Sequence, residues 1–170
     1  MSQLEIYRDR FAESGWEIFE RGVEETLRRG QKYLGVEHVL YALAEIRAEY
    51  FLSLLRSLSE NPDAMAMLME LIEECVRVSP RYEGEGVRLA PETILLFKRA
   101  LAKVRFGKRR RIEATDLFTT MLKSSGRRTV RTYRNVFDAL ERVALTDIGH
   151  VLDHYQAHYA RMLLPRSVAS

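Results

Sequence analysis

Residues 30–40 of the chain read GQKYLGVEHVL, and a degenerate copy of this stretch recurs 78 residues later. The alignment starts from one apolar anchor in each half, Phe11 and Leu89, and His38 then falls opposite Asp116. At the other aligned positions an apolar residue nearly always faces an apolar residue. Ile18, Phe19, Leu34, Val39, Leu40 and Leu43 align with Leu96, Phe97, Ile112, Leu117, Phe118 and Met121. Only Gly30 and Gly107 miss each other, by one position. The sequence therefore predicts an internal duplication of two similar helical halves.

Spacings of three and four between apolar residues, without alternating runs between turn residues, predict an all-α chain. We expect the first helix over residues 4–29, ended by Gly30 as a left-handed cap. Its expected buried stripe consists of Trp16, Phe19, Val23 and Leu27. A second helix is expected from Val36, and a third over residues 50–58.

A fourth helix is expected to open at Asn61, Pro62 and Asp63, which would act as cap, first-turn proline and first-turn acid. Its expected core face is Met65, Leu68, Met69 and Ile72. Cys75 lies beside apolar neighbours, so we expect it to be one more core position and not a reactive thiol. A single cysteine also excludes an internal disulfide.

The second half begins after a polar stretch rich in glycine and proline, residues 79–88, which is the clearest linker in the chain. Pro91 is expected to open a helix that ends at Gly107, with an apolar stripe made of Ile94, Leu95, Phe97, Leu101 and Val104. A helix over residues 114–123 follows. Beyond it the pattern predicts an amphipathic helix carrying Val130 to Val143, and a last helix from Thr146-Asp147 to about Leu164.

The first half resembles the N-terminal domain of the Clp ATPases, whose repeats run Phe-Thr, a helix, and then Gly-His-Asn-Tyr-Ile-Gly-Thr-Glu-His-Leu-Leu. The matching residues here are Phe11, Ile18, Phe19, Gly30, Tyr33, Leu34, Gly35, Glu37, His38 and Leu40. The resemblance covers about residues 8–143. It implies two pseudo-symmetric helical repeats of about four helices each in one compact domain, residues 1–143. Repeat one is expected over about 8–78 and repeat two over about 89–143, with a C-terminal helix and short tail over 144–170.

For function, the resemblance implies a docking module that captures substrates or adaptor proteins. An apolar groove between the two halves would receive an extended or helical peptide. In some members the glutamate before the His and the Thr after the leading Phe bind phosphorylated arginine. Ala12 and Ala90 stand at those threonine positions here, so that pattern is largely changed. The candidate partner-binding residues are Phe11, Glu37, His38, Leu89, Thr115 and Asp116.

Motifs for chemistry are missing from the chain. It contains no Gly-rich loop ending in Gly-Lys-Ser or Gly-Lys-Thr, so the ATPase module that normally follows a Clp N-terminal domain is not present. It also lacks a Gly-x-Ser-x-Gly elbow, a His-Glu-x-x-His pair and a Cys-x-x-Cys pair. We expect a non-enzymatic protein with no catalytic residues, no cofactor and no metal site.

Composition agrees with a cytoplasmic protein that has a real core. Of its 170 residues, 46% are apolar, and no apolar run approaches the roughly 18 to 20 residues needed to cross a bilayer. The N-terminus has neither a basic region nor an apolar signal core. We therefore expect the chain to stay in the cytoplasm and to have no membrane partner.

Charge is divided unevenly along the chain. Residues 1–85 carry a net charge of −7 and residues 86–135 a net charge of +11. The candidate basic patch is Lys108, Arg109, Arg110, Arg111, Arg127, Arg128, Arg131 and Arg134. It predicts, as the alternative function, a nucleic-acid-associated helical protein that contacts phosphates. Two other interpretations stay open: the charges are a solvated surface, or the two halves of neighbouring molecules attract each other.

The four-residue spacing of His150, His154 and His158 puts three imidazoles on one helix face, with Asp147 and Asp153 nearby. Three histidines on successive turns are too spread for one ion without further ligands, so a polar helix face is preferred over a metal site. His38 is expected to make a structural hydrogen bond at the start of a core-lining helix.

Overall fold

A computed structural model describes residues 4–58 and 62–124. The expected helices over 130–143 and 146–164, the row of histidines and the capping role of Asn61 lie outside these ranges. The described helices are α1 (Glu13–Arg28), α2 (Val36–Ile46), α3 (Ala48–Leu58), α4 (Ala64–Arg77), α5 (Pro91–Phe106) and α6 (Ala114–Ser124). Two short strands, β1 (Tyr33–Leu34) and β2 (Arg88–Leu89), complete them. The prediction of an all-α fold is confirmed.

The single first helix expected over residues 4–29 is wrong, because the chain breaks at Phe11. A 3₁₀ helix covers Glu5–Arg10, Phe11 is extended with φ −108° and ψ 136°, and α1 begins only at Glu13. The break has a tertiary cause. The Ala12 N–H donates to the Ile112 carbonyl at 2.9 Å, and the Ile112 N–H donates to the Arg10 carbonyl at 2.8 Å. These bonds to the second half hold the backbone out of helical geometry.

The buried stripe of α1 is also shifted from the expected one. Phe19 is buried as expected, and Trp16 and Val23 are partly buried, but Leu27 is 53% exposed. The helix instead buries Gly15, Ile18, Phe19, Gly22, Glu25 and Thr26. Glu25 is accommodated because three arginines, Arg21, Arg28 and Arg29, pair with its carboxylate. The buried side of α1 near its C-terminus therefore includes the paired carboxylate of Glu25, whereas the apolar pattern predicted that Leu27 would be buried there.

The fourth helix begins later than expected. Its first residue is Ala64, so Pro62 and Asp63 lie in the preceding turn and not in the first turn of the helix. Leu68 and Ile72 are fully buried and Met65 and Met69 pack against the core, as predicted. Cys75 is half-buried rather than a core position.

In the second half, α5 begins at Pro91 and α6 at Ala114, as expected. The turns that end α1 and α5 place the left-handed residue at the same position. Gly30 has φ +68°, which confirms the left-handed cap, and Lys108, 78 residues later, has φ +61°. Gly107 lies one residue before this position with φ −78°, so the glycine of the second copy is displaced although the turn is not.

The two halves are joined by reciprocal backbone pairs. Leu34 pairs in parallel with Leu89, and Phe11 forms a parallel bridge with Ile112. In the alignment Phe11 corresponds to Leu89 and Leu34 to Ile112, so the entry anchor of each half pairs with the turn of the other. The hydrogen bonds match as well: the Ala90 N–H donates to the Leu34 carbonyl at 2.9 Å, as the Ala12 N–H does to that of Ile112. Such an exchange is what a pseudo-twofold duplication requires.

Aromatic side chains fill the centre between the halves. Phe11 is fully buried, and its ring lies 5.3 Å from that of Phe19 and 5.1 Å from that of Phe97, measured between centroids. Phe19 and Phe97 occupy equivalent positions of the two halves and lie 5.5 Å apart. Across the described ranges, no helix has the length and apolar character needed to span a bilayer.

Candidate functional site

The candidate residue His38 lies in the first turn of α2, where it caps the helix. The Gly35 N–H donates to His38 Nδ1 at 3.0 Å, so Nε2 carries the proton and donates to Gln31 Oε1 at 2.7 Å. The Gln31 amide then donates to the Val76 carbonyl at 2.7 Å. Burial, with a smaller effect of the nearby Arg29 charge, lowers the pKa of His38 to about 4. The imidazole is therefore a neutral structural group at physiological pH.

The candidate residue Asp116 makes the same cap in α6. The Glu113 N–H donates to Asp116 Oδ2 at 2.8 Å. Arg109 Nη1 donates to the same carboxylate at 2.9 Å, and the Asp116 hydrogen bond is the main reason that the pKa of Arg109 is raised. Asp116 is buried, whereas the Arg109 side chain is 36% exposed. Asp116 is therefore held by one capping bond and one ion pair.

These two networks occupy equivalent positions. An offset of 78 residues relates Gln31 to Arg109, Gly35 to Glu113 and His38 to Asp116. Repeat one uses a neutral pair of imidazole and amide, and repeat two uses a charged pair of carboxylate and guanidinium. The sequence alignment did not pair Gln31 with Arg109. The 78-residue offset that relates His38 to Asp116 also relates these two residues.

Glu37 and Thr115 are the second residues of α2 and α6, and the 78-residue offset makes them equivalent. Glu37 is buried, and Ser79 Oγ, at the start of the linker, donates to its Oε1 at 2.6 Å. Burial raises the pKa of the Glu37 carboxyl. Thr115 is half-buried, and its carbonyl accepts the Thr119 hydroxyl at 2.9 Å. Of the six candidate partner-binding residues, Thr115 has the most exposed surface.

Phe11 and Leu89 are the remaining candidate partner-binding residues. Both lie in the core, with exposed fractions of 0% and 2%. Their side chains pack between the halves, and their backbones form the reciprocal pairs. A partner-binding role for any of the six residues stays a prediction.

The candidate basic patch is only partly described. Lys108, Arg110 and Arg111 are exposed at the turn before α6, whereas Arg109 is engaged by Asp116 and Glu113. Arg127, Arg128, Arg131 and Arg134 lie outside the described ranges. Phe106, the last residue of α5, stands beside this turn with 93% of its surface exposed. Among the described residues Phe106 is the most exposed large apolar side chain, and the apolar pattern of the sequence did not identify it.

Metal-binding chemistry has no support in the described part of the chain. Over residues 4–58 and 62–124, no group of three or more His, Cys, Asp or Glu side chains is placed to hold an ion. The buried polar groups His38, Glu37 and Asp116 are occupied by structural hydrogen bonds.

Solved structures show the same fold. A chain described under "Preliminary structural investigations of a malarial protein secretion system" is 19% identical, with a TM-score of 0.57, and the match covers 92% of this chain and 99% of that one. The N-terminal domain (1-163) of the ClpV1 ATPase from the E. coli EAEC Sci1 T6SS is 16% identical, with a TM-score of 0.56, and the match covers 77% of each chain. No protein-family model matches the sequence, and no curated protein matches it. The chain thus has a Clp N-terminal-like helical fold.

Proposed function

We propose that the chain is a non-catalytic docking module that binds a protein or peptide, in the manner that the resemblance to Clp N-terminal domains implies. The observation that carries the proposal is the shared fold with the N-terminal domain of the ClpV1 ATPase. That domain is the N-terminal part of an ATPase. A docking role in the cytoplasm, as a substrate-recognition or adaptor component of a chaperone or proteolysis system, follows as the finer proposal.

The candidate residues with polar side chains make hydrogen bonds within the fold, and this supports a non-catalytic role. An active site needs acids, bases or nucleophiles free to meet a substrate. His38 and Asp116 instead satisfy the N-termini of α2 and α6, and Ser79 holds Glu37. We place the docking groove between the two repeats, beside the equivalent first-turn positions Glu37 and Thr115. The organisation that goes with it is a binding domain over residues 1–143 and a C-terminal helix and tail over 144–170.

Association with nucleic acid is the second candidate function. Three cationic side chains, Lys108, Arg110 and Arg111, are exposed on one turn, and the equivalent turn of repeat one, Gly30-Gln31-Lys32-Tyr33, has a single cation. Each phosphate contact would contribute close to one unit of slope in log affinity against log salt concentration. This candidate therefore predicts binding that salt removes.

A capture experiment with the full purified chain separates the two functions. The chain is used as bait in lysate of the source cell at low and high salt, with and without nuclease, and bound proteins are identified by mass spectrometry. Two variants are run in parallel: Thr115→Arg, which adds bulk at the proposed groove, and Arg110→Glu with Arg111→Glu, which reverses two charges of the basic turn.

The docking proposal expects a defined protein, such as an ATPase or its clients, to be retained in high salt and after nuclease. Thr115→Arg should reduce that recovery, and the charge-reversed variant should not. Recovery only of nucleic acid and its attendant proteins, lost with nuclease and with the charge-reversed variant, would contradict docking and support the second candidate.

A further inference from the structure

The outward faces of α1 and α5 are equivalent in the duplication but opposite in charge. Helix α1 contains five Glu against two Arg, and α5 contains four Lys plus Arg against one Glu. The 78-residue offset puts the exposed Glu20 opposite the exposed Lys98. The outward face of α1 is therefore acidic and that of α5 basic, and opposite charges on two faces of one chain favour attraction between copies.

The acidic face of α1 is a continuous stripe. Glu13, Glu17, Glu20 and Glu24 follow spacings of four, three and four, so they lie along one side of the helix, and all four are exposed. Among the described residues none of them has an ion-pair partner. The two arginines of α1 are used internally instead, since Arg21 and Arg28 pair with the buried Glu25. Leu27 continues the stripe and is 53% exposed.

The complementary face is the C-terminal part of α5. Lys98, Ala102 and Arg105 follow spacings of four and three, and all three are exposed. Phe106 is adjacent to Arg105 and is 93% exposed, an unusual position for a large aromatic side chain. Lys98 and Arg105 have no ion-pair partner within the described ranges. This face offers an apolar anchor surrounded by cations.

The occupant that fits an apolar anchor surrounded by cations is an acidic helix face with its own exposed apolar residue. The α1 stripe with Leu27 has this composition. The chain's own residues 125–170 do not match it as well, because they carry seven Lys plus Arg against four Asp plus Glu.

We propose that the chain associates head to tail, with the acidic stripe of α1 in one copy docking on the basic face of α5 around Phe106 in the next. The contact is heterologous, because each copy contributes a different surface. Each oligomer then retains one free acidic surface at one end and one free basic surface at the other, so association grows with concentration and does not stop at a symmetric dimer. This proposal does not depend on the docking function and concerns the purified chain alone.

The test is sedimentation velocity of the full, nucleic-acid-free chain over a range of concentrations, at low and at high salt. The wild-type chain is expected to associate reversibly at low salt. Raising the ionic strength from about 0.01 M to about 1 M shortens the Debye length from about 30 Å to about 3 Å. The apparent dissociation constant should therefore rise at least about tenfold, and Phe106→Ala should weaken association at both salt concentrations.

Charge exchange provides the sharpest readout. A variant with Glu17→Lys, Glu20→Lys and Glu24→Lys, and a second with Lys98→Glu and Arg105→Glu, should each be monomeric. Mixed together they should associate, because the acidic α1 of the second meets the unchanged α5 of the first. A control with Glu49→Lys, Glu70→Lys and Glu85→Lys reverses three other exposed carboxylates and should behave as wild type. All substituted side chains are on the surface, and circular dichroism verifies that each variant is folded.

A wild-type chain that stays monomeric at all concentrations in low salt would overturn the proposal. So would association that the three-glutamate or Phe106 variants leave unchanged, or a mixture of the two charge-reversed variants that stays monomeric. Binding of added oligonucleotide with no self-association would assign the basic face to nucleic acid instead.

Discussion

His38 and Asp116 make the same hydrogen bond at equivalent positions of the two repeats. Nδ1 of His38 accepts the Gly35 N–H at 3.0 Å, and Oδ2 of Asp116 accepts the Glu113 N–H at 2.8 Å. The acceptor position is shared, but the charge is not, so the second partner differs: Gln31 for the imidazole and Arg109 for the carboxylate. One duplicated backbone thus accommodates two electrostatic solutions to the same capping requirement.

Placing the Asp–Arg pair of repeat two at the equivalent positions of repeat one, His38 and Gln31, tests this equivalence. His38→Asp alone buries a carboxylate without a cationic partner, beside Glu37, and should lower the free energy of unfolding by about 3 to 5 kcal/mol. Adding Gln31→Arg supplies the partner that Arg109 provides in repeat two. A coupling free energy of about 1 to 3 kcal/mol is expected from a double-mutant cycle in urea. A double variant no more stable than the sum of the single changes would contradict the equivalence.

Stability should depend on pH through His38. Its pKa is about 4 in the folded chain and about 6.5 when unfolded, so the unfolded state binds the proton first as the pH falls. The contribution of the neutral imidazole is therefore fully present above about pH 6.5 and is lost as the pH falls toward 4. Its full size is about 3 kcal/mol, measured by urea unfolding at a series of pH values.

The control for this pH dependence is His38→Gln, since glutamine at the third helical position also accepts the capping N–H. Burial raises the pKa of Glu37 above the value of 4.5 that its carboxyl has in the unfolded chain. The folded state therefore binds this proton first as the pH falls, and just above pH 4.5 this effect stabilises the fold and opposes the loss caused by His38. The difference between the wild-type and His38→Gln curves isolates the imidazole. Parallel curves between pH 7 and 4.5 would refute its role.

Gly15 is required by the backbone bridge between the repeats. A Cβ at this position would overlap the Ile112 carbonyl oxygen, which accepts the Ala12 N–H. Gly15→Ala should therefore destabilise the fold by about 1 to 3 kcal/mol through overpacking, although alanine normally favours a helix. Thermal and urea unfolding measure the change.

Gly107→Ala is the matched control for Gly15. Gly107 has an ordinary φ of −78°, and a Cβ there would meet its nearest atom at 3.5 Å. This substitution should be neutral or stabilising by up to about 1 kcal/mol. Equal destabilisation by both substitutions would show that the bridge is not the cause.

Arg109 and Arg110 are adjacent members of the candidate basic patch with different roles. Arg109→Ala leaves the buried Asp116 without its cation and should lower the free energy of unfolding by about 1 to 3 kcal/mol, a range reduced for the partial exposure of Arg109. Arg110 is exposed, and Arg110→Ala should change stability by less than about 0.5 kcal/mol. Urea unfolding of both variants checks the difference, and similar values for the two would contradict a structural role for Arg109.

Much of the fold is predictable from the apolar pattern, because that pattern reports which side of a helix is buried. Leu68, Ile72, Phe97 and Val104 are buried as expected. Leu27 is exposed against expectation, since the buried cluster around Glu25 occupies the same end of α1. The pattern does not register a buried ion-pair cluster, because it counts charged residues as surface.

The candidate site was less predictable. The repeat alignment identified His38 and Asp116, and the structural role expected for His38 is confirmed. Alignment identifies equivalent positions but not their exposure, and Phe11 and Leu89, taken as partner-binding candidates, lie in the core. Phe106 has the opposite character, since its apolar side chain is exposed at the end of a helix. Exposure depends on which elements pack together, and local sequence does not contain this information.

The sequence by itself determined the helical class, the duplication and the equivalence of His38 and Asp116, because helix periodicity and the repeat pattern are local properties of the chain. Only the tertiary structure decided where the halves meet. The break at Phe11, its bridge to Ile112 and the pairing of Leu34 with Leu89 each need backbone groups from both repeats. Contacts between residues so far apart along the chain form only when the whole core is assembled, and for that reason no local pattern predicts them.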